Sequence, residues 1–381
     1  MKVAMISRAW RTPLGNAVDA AMARLFAGER AATTDPRAGY PCTTIAPLRD
    51  QPAESRQARF LGRMGLFGLE VAGEALAASG IAAGPRIGVF CGVGGLRAHW
   101  EYMMPAFANQ ADDGQRMWER GLHDVHPYWM LRHLSNNVHA LAASTLRLRG
   151  EGATFGGGSA GAQAIASASR ALCDGAIDAA LVIAYDSLLE PETLVELGAR
   201  RSATRAPLAR LTAPYSADAA GFVPGEAAAA MVLVRSATAP VAWIEVRDAA
   251  GAESDSTATL ARCAAHFADG ATVIAGTARA WPDLDADERT AISALVPRDA
   301  ALVAPSAAMG QLGAATTLVQ AIVLAESLRA GTLPPIAGLE HAAAGDLAPV
   351  TRATPTTARV ALGLHASQPG LAAAIRVEVP R

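Results

Sequence analysis

A chain of 381 residues is too long for one small domain and suits two ordinary domains or one large fold of two similar halves. Hydrophobic residues at 51% supply an extensive core, while aromatics at 5% and a formal net charge of −2 speak against a stacking or polyanion-binding surface, so no nucleic-acid role is expected. The positive charge is nearly all arginine, because Lys2 is the only lysine.

In chain order, Val3–Ser7 reads as a first strand and Ala17–Ala27 as a helix. Residues 30–57 are rich in Pro, Thr and Asp and read as a surface excursion. Ala58–Ser79 has helical spacing, with Gly80 as its stop. Arg86–Gly92 (RIGVFCG) is a buried-strand pattern, Leu131–Leu148 a helix, and Ala153–Gly157 a strand ending in glycines. Ser159–Cys173 is a helix of small residues and Ala179–Tyr185 a strand. The second half repeats this grammar. Val241–Val246, Thr272–Thr277, Ala301–Ala304, Val360–Leu364 and Ala372–Val379 are strands, and Ser256–Phe267, Asp285–Leu295 and Leu312–Ala330 are helices. Strands separated by helices throughout imply an α/β fold with covered sheets. The repetition suggests a duplication, with halves 1–238 and 239–381.

No apolar run is long enough to span a membrane, and the start, MKVAMISRAWRTPLG, is too broken by Arg8 and Arg11 for a signal peptide. Cys42, Cys91, Cys173 and Cys263 are dispersed and form no CxxC pair. They read as buried free thiols of a cytoplasmic protein rather than a zinc site or a disulfide frame.

The most informative stretch is Ala153–Ile165, ATFGGGSAGAQAI. Three glycines between a strand and a helix permit positive φ and a close backbone approach. A sharp turn there aims helix N-terminal amides at one point, which suits an acyl oxyanion. Two readings compete. Gly157-Gly158-Ser159-Ala160-Gly161 fits the G-x-S-x-G elbow of serine acyl hydrolases, with Ser159 as nucleophile and His266, His341 or His365 as its base.

The same stretch also resembles the nucleophile loop of β-ketoacyl synthases, T-A-C-S-S-G-A-x-A-I, with Gly158 standing where that family has its cysteine. Further segments follow in family order. Arg11-Thr12-Pro13-Leu14-Gly15 resembles V-T-P-L-G, and Asn136-Asn137 the segment before the nucleophile strand. Gly175–Ala184 resembles D-G-x-A-D-x-A-L-A-G. Pro214-Tyr215-Ser216 with Gly221–Glu226 resembles P-F-D…G-F-V-x-G-E, and Leu333-Pro334-Pro335 resembles L-P-P. The resemblance spans nearly the whole chain. It implies the thiolase fold, two similar α/β halves in an αβαβα arrangement, with Ala153–Gly157 pairing across a dimer interface.

The resemblance also implies what is missing. A decarboxylating condensing enzyme needs a thiolate to carry the acyl chain and two histidines to polarise the thioester and stabilise the enolate. Gly158 cannot form a thioester. The family's H-G-T-G-T matches Ala275-Gly276-Thr277-Ala278, which puts Ala275 at the first histidine. Its K-x-x-G-H-x-x-G-A-A matches Pro305–Ala315, which puts Gly310 or Gln311 at the second. The C-terminal G-F-G-G-T-N turn is altered to Gly363-Leu364-His365-Ala366-Ser367. Chain-length factors of type II polyketide systems look like this: they lack the nucleophile and pair with an active ketosynthase. The expected role is therefore a non-catalytic subunit in polyketide, aryl-polyene or fatty-acid-like elongation. Its expected partner is an active ketosynthase in a heterodimer, with acyl carrier protein as a further candidate contact and no cofactor. Phe155, Gly157, Gly158, Ser159, Gln163, Phe222 and His365 are the expected pocket or interface residues.

His99, Trp100, Tyr102, Trp118, His123, His126, Tyr128, Trp129 and His133 cluster in one segment. Their spacing lacks a metal-ligand pattern, and aromatics are enriched at interfaces, so the segment reads as interface or pocket lining and no metal is expected.

Overall fold

The computed structural model describes residues 1–35, 39–45, 59–94, 123, 125, 127–252, 256–368 and 370–380. Eleven strands form one continuous sheet: β1 (Val3–Arg11), β2 (Ile87–Val93), β3 (Ala153–Gly156), β4 (Ala179–Ser187), β5 (Glu226–Val234), β6 (Ala242–Ala250), β7 (Val273–Ala275), β8 (Ala301–Val303), β9 (Ala348–Pro349), β10 (Val360–Gln368) and β11 (Leu371–Glu378). Their order is β9-β8-β7-β10-β11-β6-β1-β5-β4-β2-β3. The helices are α1 (Val18–Phe26), α2 (Arg63–Ser79), α3 (Trp129–His133), α4 (Asn137–Thr145), α5 (Ala160–Cys173), α6 (Pro191–Ala199), α7 (Ser256–Ala265), α8 (Pro282–Ser293), α9 (Ser306–Met309) and α10 (Thr316–Ala330).

The pairing repeats. On one side, β1 and β5 are antiparallel, β5 and β4 antiparallel, β4 and β2 parallel, and β2 and β3 parallel. On the other, β6-β11-β10-β7-β8 runs through the same sequence of senses. The two sets join where β1 meets β6 at Val3↔Ile244, Ala4↔Trp243 and Met5↔Ala242.

Strand periodicity explains the layering. Successive side chains point to opposite faces. In β4, Ala180, Val182 and Ala184 enter the central core, while Ala179, Leu181 and Ile183 enter the core under α2 and α4. In the second half, Val273 of β7 joins the central core and Ile274 the core under α7 and α8. Burial on both faces is why these strands read as unbroken apolar runs. The central layer is α5 with α10. Helix α10 is buried from Thr316 to Ala325 without a break. Gly161 of α5 faces the Ala314 carbonyl so closely that a Cβ there would collide with it. Glycines at Gly80 (φ +68°) and Gly331 (φ +62°) end α2 and α10 in left-handed caps.

Several expected boundaries differ. The helix expected over Leu131–Leu148 is two, α3 and α4, because Leu134 is extended and Asn137 Nδ2 donates to Phe60 O (2.9 Å). The helix expected from Ala58 begins at Arg63. Helix α10 begins at Thr316, after a 3-10 turn over Gly313–Ala315. The strand expected over Thr272–Thr277 is only Val273–Ala275, because the Thr277 N–H turns aside to Glu288 (3.0 Å). Among the described residues no helix is long and apolar enough to cross a membrane.

Candidate functional site

The chain leaves β3 through Gly157, whose φ of +103° favours glycine, and enters α5 with Ser159 as N-cap residue. Gly158, between them, opens onto a cavity of about 360 Å³ where the two halves meet. Thr277, Gln311 and His365 line it from the second half. Phe222, Leu188, Leu197, Trp281 and Leu284 give it apolar walls, and Glu192, Glu196, Arg200 and Arg279 are also on its lining.

His365 sits on β10 and is buried. Its Nε2 lies 3.2 Å from the Gly158 carbonyl oxygen. A carbonyl only accepts, so Nε2 carries the proton and Nδ1 presents a lone pair. That Nδ1 is buried and has no hydrogen-bond partner among the described residues. Burial is the main cause that lowers His365 to about 4, aided by the Arg279 charge, so the imidazole is neutral near pH 7.

The segment after β7 is tightly held. Glu288 accepts from Thr277 N (3.0 Å) and from the Tyr215 hydroxyl (2.8 Å). Gln311 Nε2 donates to the Thr277 and Ala278 carbonyls at 2.8 and 3.1 Å. Asp285 accepts from Tyr215 N (2.9 Å), and burial, with Glu288 nearby, pushes its carboxyl up to about 7. Gly221 N donates to the Ala280 carbonyl. Ala278 and Ala280 have φ of +53° and +56°, unusual for residues with a Cβ. On the other side, Asp186 accepts from Ser187 N (2.8 Å) and Ala314 N (2.9 Å), tying β4 to the turn before α10.

Gly158, Phe222, Gln311 and His365 line the cavity. Phe155 packs on the central core from the outermost strand, and Gln163 lies part-exposed on α5. Ala275 is fully buried in the central core, and Gly310 packs against Thr43, so neither lines the cavity. Ser159 is buried and does not line it either. His266 lies against Arg247 in an exposed contact, and His341 is exposed. Of the tryptophan- and histidine-rich segment, His99, Trp100, Tyr102, Trp118 and His126 lie outside the described residues.

Sequence reading passed over α6, Thr277, Arg279 and the Asp285–Glu288 clamp. Pro191 at the first helical position followed by Glu192 was a usable helix-start signal.

The comparisons agree with this geometry. Residues 1–239 match the β-ketoacyl synthase N-terminal domain. The chain belongs to the β-ketoacyl synthase family. No curated protein matches the sequence. Among solved structures, a β-ketoacyl synthase from Burkholderia phymatum STM815 superposes with a TM-score of 0.84 at 19% identity, covering all of both chains. The ishigamide ketosynthase/chain length factor superposes at 0.83 and 16% identity, over all of this chain and 99% of that one. At those identities the likeness is one of fold. The ketosynthase fold explains the repeated strand order, and the cavity lies where its elbow opens. Among the described residues no cysteine lines that cavity. Cys173 ends α5, roughly 20 Å from its start at 1.5 Å per residue. Cys91 is buried in β2, where desolvation pushes its thiol up.

Proposed function

We propose that this ketosynthase-family chain does not condense acyl groups itself and instead pairs with an active ketosynthase, as a chain-length-factor-type subunit that helps shape the acyl pocket. The observation that carries the reading is Gly158, a residue with no side chain at the elbow that opens on the cavity. Condensation needs a thiolate to hold the acyl chain there. The resemblance of Ala275 and Gly310 or Gln311 to the family's histidine positions points the same way.

Pairing is supported by the edge of the sheet. β3 ends the strand order, and its outer side has no strand neighbour among the described residues. On α5, Gln163, Ala166, Ser167 and Arg170 form a stripe that is not buried. Unpaired strand edges are usually covered. We assign that cover to the partner ketosynthase. Two further elements belong to the same reading. The divide between the halves falls near residue 238, between β5 and β6. The work is cytoplasmic chain elongation of the polyketide, aryl-polyene or fatty-acid type, with acyl carrier protein delivering the chain.

The test is acyl transfer followed by intact mass. The chain, alone and with the ketosynthase encoded nearest to it, is incubated with an acyl–carrier-protein thioester. The expected result is acylation of the partner only. Acylation of this chain, lost in Ser159→Ala, would overturn the proposal and favour serine acyl transfer.

A further inference from the structure

Six non-glycine residues have positive φ among the described residues, and four of them gather around one helix. Tyr215 (φ +63°), Ala278 (+53°), Ala280 (+56°) and Leu347 (+66°) come from three separate segments. Left-handed backbone is rare for residues as bulky as Tyr and Leu, and such strain persists only where its surroundings over-determine it. Here the surroundings are the buried face of α8. Asp285, Glu288 and Arg289 stand three and four positions apart on it, and all three are buried. Asp285 accepts from Tyr215 N (2.9 Å), and the N–H groups of Arg279 and Ala280 also face its carboxyl. Glu288 accepts from the Tyr215 hydroxyl (2.8 Å) and from Thr277 N (3.0 Å), next to Ala278. Arg289 donates to the carbonyls of Ala343 (2.8 Å), Asp346 (2.7 Å) and Leu347 (3.4 Å).

One face thus buries two carboxyls beside a single cation, and that cation is bonded to backbone carbonyls. The groups whose charges reach Asp285 are Glu288 and Arg289 of its own helix and Tyr215 from the segment before β5. Arg279 meets it only through the backbone. Burial is the main cause that raises Asp285; the Tyr215 N–H opposes the rise and Glu288 adds to it. The segment held in this way, between β7 and α8, carries Arg279 and Trp281 of the cavity wall.

We propose that the buried face of α8 is a pH-responsive clamp: with Asp285 protonated it holds the strained backbone around the cavity closed, and with Asp285 ionised it lets Gly276–Glu288 open to water. The closed clamp keeps Asp285 near 7, and an opened one returns it to its ordinary 3.8. Opening therefore releases a proton between those values. Its equilibrium constant rises by up to about tenfold per pH unit from about pH 4 to about 7 and then levels off. The clamp stands whether or not the chain condenses acyl groups.

Hydrogen exchange read by mass spectrometry on the full chain, corrected for the chemical exchange rate at each pH, follows opening segment by segment. Peptides covering Gly276–Glu288 should lose protection roughly tenfold from pH 5 to 6.5 and change little from pH 7.5 to 8.5. Peptides of α10, which is buried and opens only with the whole chain, should change less, because His365 has the opposite dependence. Asp285→Asn should hold the protection of Gly276–Glu288 within about threefold across the range. Glu288→Gln removes the neighbouring acid, so it should keep the loss but move its upper limit to lower pH. That variant carries the test should Asp285→Asn not fold. Protection constant with pH in the wild-type chain, the same loss in Asp285→Asn, or an equal loss in α10 would overturn the proposal, as would an upper limit that Glu288→Gln leaves in place.

Discussion

Helices α5 and α10 occupy corresponding places in the two halves, yet they meet very different surroundings. α10 is enclosed nearly to its end, and even Gln320 and Ser327 are buried. α5 buries one side and leaves Gln163, Ala166 and Ser167 part-exposed and Arg170 exposed. The sheet edges differ in the same sense. The two halves share strand order but differ at their edges: past β8 the sheet runs on to the short β9, whereas at β3 it stops among the described residues. In the proposed reading, the flank of α5 and β3 is the one that the partner ketosynthase covers.

Arginine placed in each helix separates the two cases most sharply. Ala325 of α10 is 0% exposed, and Ala325→Arg would bury a charge with no partner, at a cost of several kcal/mol. Little or no folded protein is expected, read by circular dichroism and solubility. Ala166→Arg on α5 should leave the thermal midpoint within about 2 °C, because from a part-exposed position the long side chain can carry its charge into solvent. It should weaken association with the ketosynthase at least tenfold, or about 1.4 kcal/mol. An unfolded Ala166→Arg protein would break the comparison.

Gly161→Val probes the closed side of α5. Its new side chain would meet the Ala314 carbonyl, so a loss of about 1–3 kcal/mol is expected in denaturant unfolding. That is less than the Ala325 effect and larger than any stability change at Ala166.

The gentlest test concerns pH and the cavity between the halves. Burial raises Asp285 to about 7 from an ordinary 3.8, so its contribution stabilises at low pH and is lost as pH rises through about 7. Burial lowers His365 to about 4 from 6.5, so its contribution is present above 6.5 and lost as pH falls toward 4. The two slopes oppose each other between about pH 4 and 6.5. Asp285→Asn should therefore uncover a stability that falls as pH is lowered through that window. His365→Gln should uncover one that rises. Thermal melts across pH 4 to 8 read both, and parallel curves for all three proteins would contradict the assignment.

Much of this scaffold was legible because the signals were local. The AALVIA run of β4 is apolar on both faces for a strand covered on both sides, and ATFGGGSAGAQAI announces a strand, a tight turn and a helix of small residues. What escaped depends on distant partners. The break between α3 and α4 is accompanied by side-chain bonds to Phe60 and Arg59 carbonyls, which no periodicity reveals. Motif matching drew attention to Ala275, but that residue still belongs to β7 and points into the central core. The cavity wall is built two residues later, after Glu288 has drawn Thr277 away from the sheet.

The claim that the open flank of α5 and β3 receives a ketosynthase is tested most directly by co-expressing the two chains and measuring mass on size-exclusion chromatography. The account predicts a one-to-one heterodimer that Ala166→Arg dissolves. A homodimer that forms equally well with the ketosynthase present, and is indifferent to Ala166→Arg, would contradict it.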